Sequence, residues 1–338
     1  MKALKRFTKA REAGSIIFLV LLVLLVGSLN PAFLAPASLL SCLNDSVVFT
    51  LLAVGIAFVI LTGEIDVSIG ATMGMSAAVA ATILRDGGSW MTAFFMAIIV
   101  GTVVGLINGW GVSIMRIPSL IFTLGVNGLT RGMIYVYTTG AWVENLPGSF
   151  TKLANVKLVG HLTVFYAVTF AGVLAANYVT NHTKHGRYFT AVGDNISGAA
   201  LVGIPTTGTK ITAYVLCGIF AALAGMAYTS RIGFVTPTAG NGYEMKAIAA
   251  CVLGGIALTG GQGTLLGAAI GAIIMSSISR ILVFMGFSSD YDNTLTGIML
   301  IVIVVVTTVM QNREIIRNHH EILLARTSEE LKTVQEGA

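Results

Sequence analysis

The stretch "LTGEIDVSIG", residues 61–70, sets two carboxylates, Glu64 and Asp66, two positions apart between long apolar runs. A carboxylate at the centre of a membrane helix costs about 2.5–3.5 kcal/mol on insertion scales, and each Leu, Ile, Val or Phe returns roughly 0.3–0.6. One such charge is affordable in an apolar helix; two in succession fit better at a helix end. Residues 45–63 already make a span, so the pair is expected near a hairpin turn, where Gly63 and Gly70 let the backbone break. Three roles stay open for Glu64 and Asp66: a structural turn or cap, contact with a solute path, and proton coupling. Asp66 precedes Ser68 and an apolar run, which suits a carboxylate near a helix N-terminus.

The rest of the chain decides what such a turn sits in. Of 338 residues, 55% are hydrophobic and only 10% charged, whereas soluble domains carry about 25% charged residues. The fold class expected is an all-α, multi-pass membrane protein. Windows long enough to cross the hydrocarbon, about 20 apolar residues, fall at 15–34, 45–63, 67–84, 91–114, 118–138, 162–180, 210–230, 244–259, 264–286 and 293–311. That makes about ten spans over 15–311, between a basic N-terminal tail, 1–14, and a C-terminal tail, 312–338. The basic start and apolar run also resemble a signal peptide, but the many spans that follow favour an uncleaved first span.

Orientation follows from the positive-inside rule. With the N-terminus inside, Lys2, Lys5, Arg6, Lys9, Arg11, Arg116, Lys184, Arg187, Lys210, Arg313, Arg317, Arg326 and Lys332 are cytoplasmic. Arg85, Lys152, Lys157 and Arg231 are left outside. Both termini are then cytoplasmic, as an even number of spans requires. The net charge of +5 is spread over tails and short loops and gives no nucleic-acid signal. Cys42, Cys217 and Cys251 are widely spaced in apolar context and read as core residues. The histidines make no metal-ligand spacing.

Gly101, Gly105 and Gly109 form one row at four-residue spacing, and Gly263, Gly267 and Gly271 another. Such rows let helix backbones approach closely. In "GIPTTGTKIT", Gly203 and Gly208 have P-loop spacing, but Thr209 stands where the lysine belongs, so no nucleotide-hydrolysing site is expected. Inside the fifth window Arg131 either snorkels outward or faces a protein-lined cavity. Asn108 and Asn127 read first as interhelical hydrogen-bonding groups and second as path residues. Trp90, Trp110 and Trp142 suit interfacial belts. The polar segment 181–209 is too long for a simple connector, and "NISGAALVG" within it reads as a short helix of small residues, a knob for a cytoplasmic partner.

Four stretches, in order, resemble the permease subunits of ribose-type ABC sugar importers: "AVGIAFVILTGEIDVSIGATMGMSAAVAA", "GLINGWGVSIMRIPSLIFTLGVNGLTRGMIY", "GRYFTAVGDNISGAALVGI" and "YEMKAIAACVLGGIALTGGQGTLLGAAIGAII". The similarity runs from about 38 to 311. The resemblance implies a bacterial inner-membrane permease that pairs with a second copy or a paralogue. It also implies a periplasmic or lipid-anchored sugar-binding protein and a separate ATPase that binds the ATP, with no cofactor in this chain. It makes 193–204 the ATPase-coupling segment, with Gly193, Asn195, Gly198, Ala199, Ala200 and Gly203 as its contact residues. The implied solute is a pentose or hexose, the alternative a nucleoside or furanosyl signal molecule. A proton-coupled secondary transporter using Glu64 and Asp66 is the rival of another class, but no inverted halves support it. An intramembrane enzyme lacks a catalytic set.

Two positions depart from the family pattern: Glu64 stands where glycine is usual, and Lys246 where aspartate is usual. Their opposite charges raise the expectation that they compensate each other. Span register argues against contact, unless the 61–70 segment breaks within the membrane to leave a half-helix.

Overall fold

The computed structural model of the chain describes residues 13–288 and, beyond them, 291, 292, 294–299, 301, 302 and 305. Nearly all of both tails and most of the tenth window lie outside these residues. The chain divides after Thr296; in the second unit, residues 297–299, 301, 302 and 305 are helical.

Among the described residues the main helices of the first unit are α1 (Ala13–Leu29), α2 (Pro36–Asp45), α3 (Val47–Leu61), α4 (Ile69–Arg85), α5 (Trp90–Ser113), α6 (Ser119–Thr138), α7 (Val164–His182), α8 (Lys184–Asp194), α9 (Ile196–Leu201), α10 (Thr206–Ile232), α11 (Tyr243–Leu253) and α12 (Leu265–Phe284), with single helical turns at Pro31–Leu34, Gly148–Thr151 and Leu153–Asn155. A small antiparallel hairpin, β1 (Lys157–Val159) and β2 (Leu162–Thr163), precedes α7. Among the described residues, α5, α7, α10 and α12 are each long and apolar enough to cross a bilayer, and α2 with α3, bent by 43°, makes a fifth candidate. Helices α1 and α4 are apolar but shorter. The count of ten windows is therefore not matched helix for window. The eighth window shrinks to the 11 residues of α11, about 16 Å of helix against a hydrocarbon core of about 30 Å. Hydropathy registers burial in apolar surroundings, and a half-length helix inside a bundle is as apolar as a span.

Helix α10 is the axis of the bundle, and α3, α4 and α5 all pack along it. Small residues choose the contact faces. A Cβ built on Gly101 would lie 2.1 Å from the Gly218 carbonyl oxygen, and one on Gly105 2.4 Å from that of Tyr214. The glycine row of α5 is thus spent on backbone contact with α10, while Ile99, Val103 and Leu106 stay exposed on its other side. This is how apolar helices select partners in a lipid-like surround, by closeness of fit rather than by hydrophobicity. The second row divides: Gly267 and Gly271 press against Gly254 and Ala250 of the α11 segment, whereas Gly263 lies outside α12 with φ +122°.

The path of α3 and α4 settles the opening question. Arg231, near the end of α10, bonds the Asn44 carbonyl at 2.8 Å, and Lys210, in its first turns, meets Glu64 at 2.5 Å. So α3 runs antiparallel to α10. Residues 62–68 are not helical and turn back along α10: the Tyr214 hydroxyl donates to the Ile65 carbonyl at 3.4 Å, and Cys217 Sγ lies 3.5 Å from Asp66. Helix α4 then starts level with Cys217, about 10 Å from Lys210 along the axis. It runs on toward the Arg231 end, with Gly225 against its Met73 carbonyl. Helix α11 starts beside it and runs the other way. A Cβ on Gly70 would overlap the Glu244 carboxylate and the Gly240 carbonyl, and the loop after α11 reaches Leu61, where the Gly261 amide donates to the Leu61 carbonyl at 3.0 Å. Two half-helices thus meet by their N-termini inside the bundle.

Candidate functional site

An irregular backbone inside a membrane bundle must find partners for the groups it frees. The Ile65 amide donates to Ser119 Oγ at 3.3 Å and the Val67 amide to Thr123 Oγ1 at 3.1 Å. Asp66, 3% exposed, accepts from the Ser68 amide at 2.8 Å and the Ser68 hydroxyl at 2.7 Å. Asn108 Nδ2 donates to Ser68 Oγ at 2.7 Å and reaches both Asp66 oxygens at 3.4 Å. Asp66 thus closes a buried turn onto Ser68, the N-cap of α4, near the helix end where the dipole favours negative charge. Asn108 joins α5 to that cap. The hairpin turn expected at the membrane surface is instead a break inside the bundle, and only its first residues face a cavity.

Glu244 holds the corresponding place on α11. It is 7% exposed, lies in the first turn and pairs with Arg131 at 3.6 Å. The Arg131 guanidinium also donates to the carbonyls of Ala239 and Gly240 at 2.7 and 2.6 Å. Arg131 therefore faces protein rather than snorkelling, and it ties α6 to the loop that starts α11. Asn127, one turn earlier, has a side-chain oxygen with no hydrogen-bond partner among the described residues.

Glu64 lies apart from Asp66. With Lys210 it lines a cavity of about 630 Å³ together with Arg116, Ser197, Ala200 and Thr206. Compensation between Glu64 and Lys246 is overturned. Lys246 pairs with Asp292 and sits 5.5 Å from the Phe49 ring centroid, so each departure from the family pattern has its own partner. The register argument against contact holds even though the 61–70 segment does break inside the bundle.

Within 193–204, the segment expected to couple to an ATPase, the structure has the short helix expected, α9. Asn195 caps α9 by accepting from the Gly198 amide at 2.8 Å. The small residues do not all face outward. Ala199 is buried, while Leu201 and Val202 are 89% and 76% exposed, and Gly203 takes φ +81°. At Gly193 a Cβ would come within 2.0 Å of the Leu61 carbonyl oxygen. The segment thus abuts the end of α3, where the break begins.

Sequence reading overlooked Ser119, Thr123 and Tyr135. Ser119, Thr123, Asn127, Arg131 and Tyr135 recur every fourth position, a polar stripe along one side of α6. That spacing was the signal available.

Over residues 38–304 the chain matches the family described as branched-chain amino acid transport system, permease component. It is similar to the LsrC permease protein of the autoinducer 2 import system of Enterobacter sp. (strain 638), 38% identical over 298 residues, 88% of this chain and 87% of that one. The LsrC protein of Salmonella typhimurium (strain LT2) is 38% identical over 303 residues, 88% and 86% of the two chains. That of Yersinia pseudotuberculosis serotype O:3 is 35% identical over 303 residues, 88% and 85%. No solved structure matches the chain. With a bundle of apolar helices broken at two buried half-helices and a match over most of its length, the chain belongs to this family of ABC importer permeases and is a transport subunit rather than an enzyme.

Proposed function

We propose that this permease carries autoinducer 2, or a chemically similar furanosyl or monosaccharide solute, into the cytoplasm of a bacterial cell. The observation that carries this reading is the 38% identity to autoinducer 2 import permeases over 88% of the chain. Branched-chain amino acids, named in the family description, are the lesser alternative.

In this reading the chain lies in the inner membrane as a multi-pass subunit with both termini in the cytoplasm. Arg116 and Lys210 line one cavity with Ser197 and Ala200 of the coupling segment, which supports a cytoplasmic placement of that end of α10. An ATPase docks on Leu201, Val202 and Gly203, and an external binding protein delivers solute at the Arg231 end. A second permease copy or a paralogue completes the path. ATP binding and hydrolysis by the partner bias the two access states. Gly193 hands that motion to the end of α3 and so to the buried break.

The test is uptake by sealed vesicles carrying the permease, its ATPase and its binding protein, with autoinducer 2, ribose and leucine offered separately. Uptake of the first or second should require internal ATP and survive collapse of the proton gradient. Loss of uptake to an uncoupler at constant ATP would favour proton coupling through Glu64 and Asp66. Uptake of leucine alone would exclude the proposed solute class.

A further inference from the structure

The second half of the polar stripe on α6 borders a cleft of about 300 Å³, lined by Asn127, Gly128, Arg131, Tyr135, Thr238 and Asn241. That is at the lower end of the roughly 300–1,000 Å³ common for small-molecule sites. The cleft lies where the loop entering α11 faces α6, beside the point at which the two half-helices meet.

Its charge is already committed. Arg131, the one charged residue lining it, spends its guanidinium on the carbonyls of Ala239 and Gly240 and on Glu244. Thr238 pairs with the Thr236 hydroxyl at 3.1 Å, but three other neutral polar groups have no side-chain partner among the described residues. The amide of Asn127, the amide of Asn241 and the hydroxyl of Tyr135 make no side-chain hydrogen bond within the described residues, and the Asn127 oxygen is buried without a partner. Each amide offers both donor and acceptor sites, and the phenol offers one of each kind. A site with free amides and no free charge suits a neutral, polyhydroxylated ring. A zwitterion such as an amino acid would lose the hydration of two charges and gain no counter-charge.

We propose that this cleft is the solute subsite of the permease, that Asn127, Asn241 and Tyr135 recognise a neutral polyhydroxylated solute there, and that Arg131 is a positioning residue holding the α11 loop as the far wall. The proposal rests on the furanosyl or monosaccharide reading above and deepens it.

Gly128 supplies the test. A Cβ at Gly128 meets nothing within 4 Å, and the same is true at Gly172 on α7, so neither Gly128→Leu nor Gly172→Leu forces a clash within the chain. Only the first fills the cleft. In the reconstituted importer, with ribose and autoinducer 2 as probes, Gly128→Leu should abolish solute movement while ATP hydrolysis stimulated by the binding protein continues. Gly172→Leu should behave as wild type. Asn127→Leu, which keeps shape and removes polarity, should lower solute moved per ATP by about tenfold, the loss expected of one well-made hydrogen bond. Wild-type coupling in both cleft variants would overturn the proposal. So would a Gly128→Leu permease that no longer assembles with its second copy on native mass measurement, because the cleft would then be an interface. A wild-type importer that carries only leucine would overturn the neutral-solute chemistry together with the reading it rests on. Wild-type sugar uptake with indifferent cleft variants would defeat the subsite alone.

Discussion

Lys210 Nζ lies 2.5 Å from Glu64 Oε1, fastening the first turns of the central helix α10 to the start of the break after α3. Both side chains are largely covered, at 15% and 17% exposure, so the pair is screened less than a surface ion pair. The break leaves α3 at this contact, and the 193–204 segment touches the same end of α3 through Gly193.

Glu64→Gln and Lys210→Met should therefore couple. A double-mutant cycle on the thermal stability of the purified permease should give an interaction energy of about 0.5–3 kcal/mol, the range for residues in direct contact. The cycle of Glu64→Gln with Lys246→Met should be additive, because Lys246 answers to Asp292. Coupling in the second cycle and none in the first would contradict both pairings.

Asp66→Ala should cost more than the lost side chain. It strands the Ser68 amide and hydroxyl inside the bundle, and an unsatisfied buried polar group costs about 1–3 kcal/mol. The melting temperature in detergent should fall clearly. A neutral Asp66→Ala would mean that water replaces the cap.

Leu201→Glu should separate docking from folding. Leu201 is almost fully exposed, so the variant should insert and fold normally yet fail to retain the ATPase on co-purification, and uptake should vanish. Ala199→Arg is a poorer probe, because Ala199 is buried within the chain and the arginine would disturb α9 itself. Full ATPase retention by Leu201→Glu would move the docking surface elsewhere.

Much of this protein could be read from its residues. Composition demanded a membrane bundle, because so few charges cannot keep the chain in water. The Gly101–Gly105–Gly109 row identified a close helix contact, Asn195 marked the start of the short helix α9, and the four ordered stretches carried the family. These are local signals, set by residue type and spacing. What the Glu64–Asp66 pair does was not local. A cap on a buried half-helix and a turn at the membrane surface have the same sequence, and they differ only in whether Ser119, Thr123 and Asn108 from other helices arrive to satisfy the broken backbone. Hydropathy likewise could not tell α11 from a full span, since it reports apolar surroundings and not the direction of the chain. The partners of Lys246 and Glu64, and which α6 groups are without a partner among the described residues, were decided by tertiary packing. Charges and amides in a low-dielectric interior are defined by what is brought against them, and the chain brings it from more than a hundred residues away, as Asp66 to Cys217 and Arg131 to Gly240 show.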